Sequence, residues 1–309
     1  MRLILDTNVW TYIGERRETR AFEQLEDELG LDVVIPPSIL LEALRIPVDD
    51  VLARVAEAMT ERRGARTHPL PEARLEADEL ISQARVLRPR WFRRFPAPGS
   101  VSSLEAFWTR RLWQEAARDP KRVAARLPKE MDQADDVILA IQNANKRVFL
   151  DASFHFEGDP PLFDLRDQPT DVTLGWDGDR IEAWRFEGAN VWWRGLVTEP
   201  RRARRVGGDT TYADWAGASL DLDMVGRNRP DFNRFWYYEV SADSMPRAWL
   251  RSMVHWVQLE TKIGVGNPRD AQHAAYLLDA DIFVTADRRF RRVLDLCGRG
   301  RPHPLPKCG

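Results

Sequence analysis

Cysteine is nearly absent from this chain of 309 residues, which contains only Cys297 and Cys308. Two cysteines are too few for a disulfide framework, and too few for a zinc site built from four thiolates. Long apolar runs are missing as well, so the sequence shows neither a signal peptide nor a stretch that could span a membrane. We therefore expect a cytoplasmic protein that has no membrane partner.

A dominant charge of one sign is also missing, because 46 basic and 48 acidic residues leave a net charge of −2. The chain has no overall excess of basic residues that would indicate nucleic-acid binding, so a binding site for a polyanion would have to be local. Lysine is scarce, and its five residues leave 41 arginines. Guanidinium groups bind phosphate in a bidentate manner, but an arginine-biased genome would give the same composition.

The chain begins with a short apolar run that ends in Asp6-Thr7-Asn8. Such a run predicts a buried strand, followed by a turn into a helix. Asp6 would then lie at the carboxyl end of the strand, where open α/β sheets bind their ligands. An acid at this place serves either as a metal ligand or as the N-cap of the helix, and this motif alone does not decide between them.

Strands and helices alternate at both ends of the chain. The elements predicted after the first strand are a helix in residues 10–29 ended by Gly30, a strand at 32–35, a helix at 39–45, a helix at 270–278, a strand at 281–287 and a helix at 288–296. Alternation of this kind is typical of a parallel sheet with helices on its faces. The predicted fold class is therefore α/β.

Four acids lie at ends of these elements, where the fold could bring them together: Asp6, Glu42, Asp270 and Asp287. Carboxylates that converge repel one another unless a cation holds them, and hard oxygen ligands select Mg²⁺ or Mn²⁺ rather than zinc. A site of this kind suits the hydrolysis of phosphodiesters, because the cation activates water and stabilises charge on the phosphate.

These acids stand in motifs that resemble those of the PIN domain nuclease family. The motifs are Asp6-Thr7-Asn8, Pro-Pro-Ser-Ile-Leu-Leu-Glu ending at Glu42, Asn-Pro-Arg-Asp ending at Asp270, and Thr285-Ala286-Asp287-Arg288-Arg289-Phe290. The resemblance implies a Rossmann-like parallel sheet and a metal-dependent endoribonuclease that acts on RNA. It makes the four acids both catalytic and metal-binding. Asn8 would orient the first acid, and Thr285 would support the last.

The resemblance implies two biological settings, a toxin with an antitoxin protein as its partner and a stand-alone defence nuclease. The length of the chain weakens the first setting, because such toxins resemble the bare core. A second hypothesis is a PIN-like fold kept as a nucleic-acid-binding or scaffold module with weak catalysis. The presence of all four acids argues against this module, since a protein without catalytic demand could lose one of them.

The resemblance covers residues 1–46 and 264–297, so residues 1–46 and 264–309 are predicted to form the PIN-like core, with residues 47–263 as a large α+β insertion. Within the insertion the sequence predicts helices in residues 47–150, a tryptophan-rich antiparallel β meander at about 171–198, and irregular and helical structure in 199–263 with a strand at 235–240. The tryptophans of the meander alternate as the core side of a sheet does, so we interpret Trp176, Trp184, Trp192 and Trp193 as packing residues.

The insertion contains a rival pair of acids. Asp136 in a predicted helix and Asp151 after a predicted strand repeat the order acid, helix, strand, acid. If they replaced Asp270 and Asp287, the core would close near residue 155. We favour the later pair, because only there does a threonine stand two residues before the last acid.

Residues 85–95 interleave five arginines with three aromatic residues. This composition is used to hold single-stranded nucleic acid, and the candidate contacts are Arg88, Arg90, Trp91, Arg93 and Arg94. The alternative is the end of an amphipathic helix whose aromatic side chains enter a core.

A further residue, His273, lies three residues after Asp270 and so on the same helical face. It could approach the metal or a phosphate, or it could be a packing residue.

Overall fold

The computed structural model describes residues 1–61, 66–96, 98–126, 139–140, 142–143, 146, 159–201, 211–259, 267–300 and 305–308. The β-strands in this part are β1 (Arg2–Leu5), β2 (Asp32–Val34), β3 (Leu162–Phe163), β4 (Ile181–Glu182), β5 (Ile282–Val284) and β6 (Lys307–Cys308). Asp136 and the strand predicted before Asp151 lie outside the described residues, whereas residues 139–140 and 142–143 of the helix predicted around Asp136 are described and are helical.

The α-helices of the described part are α1 (Thr7–Arg16), α2 (Thr19–Leu29), α3 (Pro37–Ala43), α4 (Asp49–Thr60), α5 (Glu72–Leu87), α6 (Pro98–Ala106), α7 (Leu112–Arg118), α8 (Pro120–Arg126), α9 (Thr170–Thr173), α10 (Ala183–Trp193), α11 (Thr211–Ala216), α12 (Leu222–Val225), α13 (Arg229–Arg234), α14 (Pro246–Leu259), α15 (Asn267–Ala274) and α16 (Arg288–Cys297). Single π-helical turns follow α6, α10 and α13, at Phe107–Arg111, Arg194–Thr198 and Phe235–Glu239. None of these helices combines the length and the apolar composition that crossing a membrane requires.

A sheet of four parallel strands forms the centre of the fold, in the order β2-β1-β5-β6. Leu3 of β1 lies opposite Val33 on one side and Ile282 on the other. Leu3, Ile4 and Leu5 are all buried, as expected for a central strand that is covered on both faces. Helices flank the sheet, so the predicted α/β class with a parallel sheet is confirmed.

Beyond β2, the edge of the sheet is extended by a single residue, Thr67, which follows α4 in the chain. The N–H of Thr67 donates to the carbonyl of Val33, and the N–H of Ile35 donates to the carbonyl of Thr67, both at 2.9 Å. The preceding residue, Arg66, is buried and pairs with Glu26 of α2 at 2.9 Å. This buried ion pair ties α2 to the edge of the sheet.

Two neighbouring strands end in acids that begin helices. Asp6 follows β1 and is the N-cap of α1, and Asp287 follows β5 and is the N-cap of α16. Because β1 and β5 are parallel neighbours, both acids emerge at the same edge of the sheet. Gly30 ends α2 in the left-handed conformation with φ of 59°, which glycine adopts without steric strain.

The chain divides into two compact units. The first, which we call the sheet unit, comprises Met1–Pro71, Glu105–Gly158 and Val254–Gly309. The second, which we call the helical unit, comprises Glu72–Leu104 and Asp159–Met253. The predicted insertion therefore contributes to both units: α4, α7 and α8 pack together within the sheet unit, and α4 also packs against α1 and α3.

The β meander predicted at residues 171–198 is wrong, because the chain forms α10 and a π-helical turn there. Trp184 and Trp192 are eight residues apart, a spacing that fits both an alternating strand and two steps of four along a helix. Both are buried, and Gly188 midway between them gives space to Trp236, since an added Cβ would lie 2.3 Å from that ring. The strand predicted at residues 235–240 is also wrong, because a π-helical turn forms there.

Candidate metal site

Asp6 is buried at the carboxyl end of β1, and both of its carboxylate oxygens accept hydrogen bonds. Oδ1 accepts from the N–H of Thr7 at 2.7 Å. Oδ2 accepts from the Asn8 amide at 2.7 Å and from the Thr285 hydroxyl at 2.6 Å. These three donors fix the orientation of the carboxylate. Capping a helix and presenting oxygen to a ligand are therefore compatible in this residue.

Glu42 lies on α3 and is half-buried. Its Oε2 accepts a hydrogen bond from the Thr7 hydroxyl at 2.6 Å, so the residue that follows Asp6 also positions the second acid. On the other oxygen, Arg269 Nη1 lies 3.6 Å from Glu42 Oε1. Asp6 and Glu42 therefore contact the same threonine, because the Thr7 N–H donates to Asp6 and the Thr7 hydroxyl donates to Glu42.

His273 on α15 lies between these two acids. Its Nε2 is 3.6 Å from Glu42 Oε2, and its Nδ1 is 4.0 Å from Asp6 Oδ1. The side chain is 4% exposed, and Nε2 is buried without a hydrogen-bond partner in the part of the chain that the structure describes. One ligand atom each from Asp6, Glu42 and His273 lie within 4.8 Å of one another. We call these three residues the ligand triad.

Asp270 lies one helical turn before His273 on α15. Its Oδ2 accepts a hydrogen bond from Gln258 at 2.9 Å, and Arg289 Nη2 lies 3.7 Å from the same oxygen. Burial raises the pKa of Asp270 to about 8, against the effect of Arg289, and the negative charges of the other three predicted acids add to the rise. Asp270 therefore interacts electrostatically with each of the other three acids, although it lies outside the ligand triad.

Asp287 accepts hydrogen bonds from the backbone N–H groups of Arg289 and Phe290, at 2.7 and 3.1 Å. The hydroxyl of Thr285 accepts from the N–H of Asp287 at 2.9 Å while it donates to Asp6. Thr285 therefore connects the first and the last predicted acid. Asn8 contributes to the same connection, because its side-chain oxygen accepts from the N–H of Ala286 at 3.0 Å.

The donor set fits a divalent cation. The ligand triad offers two carboxylates, each held by a threonine hydroxyl, and an imidazole nitrogen that is buried without a partner among the described residues. Buried polar atoms normally have a partner, so an orphan nitrogen facing a carboxylate requires an explanation. A cation between the three side chains would satisfy the nitrogen and would offset the repulsion between Asp6 and Glu42.

The sequence pointed to the four acids but not to the side chains that surround them. Thr7, Gln258, Arg269 and Arg289 contact the acids from other elements, and spacing along the chain gives no signal for such contacts. For His273 the signal was its spacing from Asp270, which places it on a helix face but does not show which residues it meets across the site. The rival acids Asp136 and Asp151 lie outside the described residues.

The nucleic-acid contacts predicted in residues 85–95 are wrong for Trp91, which is 2% exposed. Its ring packs against Phe232 and Phe235, so no face is open for a base. Arg88 is held by Asp231 at 3.0 Å and by Glu239 at 2.7 Å. The alternative, in which the aromatic side chains of this segment enter a core, is what the structure shows for this tryptophan.

The other three predicted contacts also have partners inside the helical unit. Arg90 is exposed and pairs with Asp231 at 2.8 Å, and Arg93 Nε donates to the carbonyl of Leu220 at 3.1 Å. Arg94 lies over the ring of Phe95. An RNA strand at this surface would compete with the intramolecular contacts of these three arginines.

The ligand triad and the acids beside it belong entirely to the sheet unit. Their residues come from three segments of the chain that are far apart in sequence, so the site exists only in the folded protein. No family model matches the chain, and neither a curated protein nor a solved structure matches it significantly.

Proposed function

We propose that this protein is a divalent-metal-dependent endoribonuclease of the PIN type. The observation that carries the proposal is the ligand triad, with Asp270 and Asp287 beside it, at the carboxyl edge of a parallel sheet. A group of acids alone would be weak support. The buried Nε2 of His273, which faces Glu42 without a hydrogen bond, is the independent observation that points to a ligand.

A cation held by these residues, Mg²⁺ or Mn²⁺, would activate water and neutralise charge on the phosphate. Asp6 and Glu42 are oriented by hydroxyl and amide donors, so their free lone pairs are directed before any ligand arrives. Water adds to phosphorus and the bond from phosphorus to the 3′ oxygen breaks. The products are therefore a 5′ phosphate and a 3′ hydroxyl.

Two arginines support a phosphodiester as the substrate. Arg269 lies 3.6 Å from Glu42, and Arg289 lies 3.7 Å from Asp270, so both guanidinium groups are next to the predicted acids. Guanidinium groups bind phosphate oxygens in a bidentate manner, so these two side chains would attract and orient the phosphates of a strand. The choice of RNA over DNA rests on the resemblance of the acidic motifs to the PIN family.

Cleavage of a single-stranded RNA tests the proposal. We expect EDTA and Asp6→Asn each to lower the rate by about 100-fold or more, because a bound cation supplies several kcal/mol of transition-state stabilisation. Asp295→Asn is the matched control, since it makes the same change at an exposed acid of α16. Cleavage that survives both EDTA and Asp6→Asn would refute the proposal.

The second candidate function is a nucleic-acid-binding or scaffold module with weak catalysis. The observation in its favour is that Asp6 and Asp287 cap helices, a structural task that would preserve them without any reaction. Asn is as good an N-cap as Asp, so Asp287→Asn removes the charge and keeps the cap. Thermal stabilisation by Mn²⁺ that disappears in this variant supports the nuclease, and no stabilisation of the wild type supports the module.

A further inference from the structure

We propose that His273 is itself a ligand of the cation and that its nitrogen makes the site select Mn²⁺ over Mg²⁺. The inference rests on the proposed function, which requires a divalent cation, and it names the class of cation that this site takes. The four acids of the resemblance would form a site made of oxygen alone. The ligand triad instead combines two carboxylates with one imidazole.

The position of His273 matches that of a metal ligand. Two atoms bound to one ion at about 2.1 Å lie roughly 3 to 4.2 Å from each other. The separation of 3.6 Å between His273 Nε2 and Glu42 Oε2 falls in this interval, and so does the 4.0 Å between Nδ1 and Asp6 Oδ1. Either nitrogen could therefore share an ion with a carboxylate after a small rotation of the ring.

The alternative role for His273 is that of a positively charged partner of the two acids. A charge-assisted hydrogen bond between a nitrogen and a carboxylate is short, about 2.7–2.9 Å. The observed separations of 3.6 and 4.0 Å are much longer, and Nε2 makes no hydrogen bond among the described residues. The two carboxylates therefore lie beside the imidazole without a short hydrogen bond to it, at separations that fit ligands of one ion.

Surrounding packing holds the ring in this place. His273 is 4% exposed and lies on α15, where Ala271 and Ala274 are buried, as is Ala275, which follows the helix. A side chain in such surroundings has little freedom to turn away from the acids when an ion arrives. The ring can therefore rotate only slightly, and its nitrogens stay beside the acids.

The donor chemistry then decides between the two ions. Mg²⁺ is small, prefers oxygen and gives up its water reluctantly, so it gains little from a nitrogen ligand. Mn²⁺, although it binds most weakly among the first-row transition-metal ions, gains more from a nitrogen donor than Mg²⁺ does. An imidazole in the site therefore strengthens the binding of Mn²⁺ and leaves that of Mg²⁺ nearly unchanged.

The experiment measures the binding of each ion to the full-length protein by equilibrium dialysis, and the ligands of Mn²⁺ by electron spin echo envelope modulation. We expect wild-type protein to show modulation from ¹⁴N, which disappears when the histidines are labelled with ¹⁵N. In His273→Gln we expect the Kd of Mn²⁺ to rise about 10-fold or more, and that of Mg²⁺ to change by less than about 3-fold. His68→Gln is the matched control.

The inference is overturned if Mn²⁺ binds in an Asp6-dependent manner without ¹⁴N modulation, or if His273→Gln leaves the ratio of the two Kd values unchanged. Either result leaves the proposed nuclease intact, because the acids would still hold the ion. Absence of saturable binding of both ions to the wild type overturns the inference together with the proposed function. The isotope comparison uses only the wild-type chain, so it shows whether a histidine binds Mn²⁺ even if His273→Gln does not fold, and absence of the ¹⁴N modulation overturns the inference without any variant.

Discussion

Asp6 uses its two oxygens for different tasks. Oδ1 accepts from the first N–H of α1, and Oδ2 accepts from Asn8 and Thr285, which connects it to the segment that carries Asp287. A carboxylate held by three donors loses little conformational entropy when a ligand arrives, because its side chain is already ordered. Residues that orient such an acid should therefore affect ion binding without touching the ion.

Thr285→Val tests this orientation. The substitution removes the donor to Asp6 and the acceptor of the Asp287 N–H, and it keeps the size of the side chain. We expect the Kd of Mn²⁺ to rise about 10-fold, as for other groups that position metal ligands, and the free energy of unfolding to fall by about 1–2 kcal/mol. Dialysis and urea denaturation measure the two effects.

Thr109→Val is the control for Thr285→Val, because the Thr109 hydroxyl donates to the carbonyl of Glu105, four residues earlier in the chain and away from the acids. It should leave the binding of Mn²⁺ unchanged. Equal loss of Mn²⁺ affinity in both variants would mean that Thr285 acts through general stability and does not position Asp6.

Asp270→Asn decides which acids complete the site. Asp270 interacts electrostatically with the other three predicted acids, so we expect this variant to lose RNA cleavage by about 100-fold or more. Asp136→Asn, in the rival motif, should cleave at the wild-type rate. The reverse pattern, with cleavage unchanged in Asp270→Asn and lost in Asp136→Asn, would transfer the assignment to the rival acids.

His68 makes the stability of the protein depend on pH. Its ring stacks on that of Trp113, with the ring centroids 3.8 Å apart. Burial lowers the pKa of His68 from 6.5 to about 4, and the positive charge of Arg66 adds a smaller effect in the same direction. Between these two values the unfolded chain binds more protons than the folded one. The contribution of neutral His68 is therefore complete above pH 6.5 and is lost as the pH falls through that window towards 4.

His68→Phe keeps an aromatic ring on Trp113 and removes the titration. We expect the difference in unfolding free energy between pH 7 and pH 5 to be smaller in the variant by about 1 kcal/mol, a value reduced for partial exposure. Urea denaturation at the two pH values measures it. An equal pH dependence in the variant and the wild type would contradict the role of His68.

At the scale of elements, α1 and α4 approach closely at Gly14. A Cβ added there would lie 2.7 Å from Val55 Cγ2 and 3.0 Å from its Cα, so the backbone of α4 stands in the way. Arg54 Nε also donates to the Gly14 carbonyl at 3.1 Å. A glycine is needed at this position of α1, because Asp6 caps α1 and any shift of the helix away from α4 would move that acid.

Gly14→Ala should therefore destabilise the protein. Alanine favours a helix by up to about 1 kcal/mol over glycine, but overpacking costs about 1–3 kcal/mol, so we expect a net loss of about 1 kcal/mol. Thermal denaturation measures it. Adding Val55→Ala to Gly14→Ala removes the Cγ2 contact and should recover part of the loss, whereas a higher Tm in Gly14→Ala alone would show that the helices separate freely.

The sequence predicted the elements that carry the acids because their signals are local. Buried apolar runs mark β1, β2 and β5, and Gly30 ends α2 as predicted. By contrast, β6 consists of two residues, Lys307–Cys308, and pairs with β5 through its backbone. A strand this short has no side-chain pattern from which it could be predicted. Aromatic residues are common in strands, and a run of them in residues 235–238 therefore predicted a strand where a π-helical turn forms.

The same contrast holds for the site. Four acids at element ends were visible in the sequence, since strand ends and helix starts are local features. The place of His273 between Asp6 and Glu42 depends on how α15 packs against α3, which is a long-range property. The neighbours that set the charge around Asp270, Gln258 and Arg289, come from two further helices.

At the scale of the whole molecule, the sheet unit depends on segments that the acidic motifs do not include. The helix α4 packs on α1 and α3, and Arg66 pairs with Glu26. We expect a chain in which a short linker replaces residues 47–263 to lack a cooperative unfolding transition and to bind no Mn²⁺. Circular dichroism in urea and dialysis measure both, and cooperative unfolding with bound Mn²⁺ would show that residues 1–46 and 264–309 fold alone.

The caps at Asp6 and Asp287 also bear on how this protein can evolve. Aspartate and asparagine codons differ by one base, and asparagine is an equally good N-cap. A single point mutation at either position therefore yields a chain that keeps its fold and its arginines but lacks a charge of the site. Under the proposed function, such a chain in a genome with two copies would bind the same strands without cutting them and would protect them from the active copy.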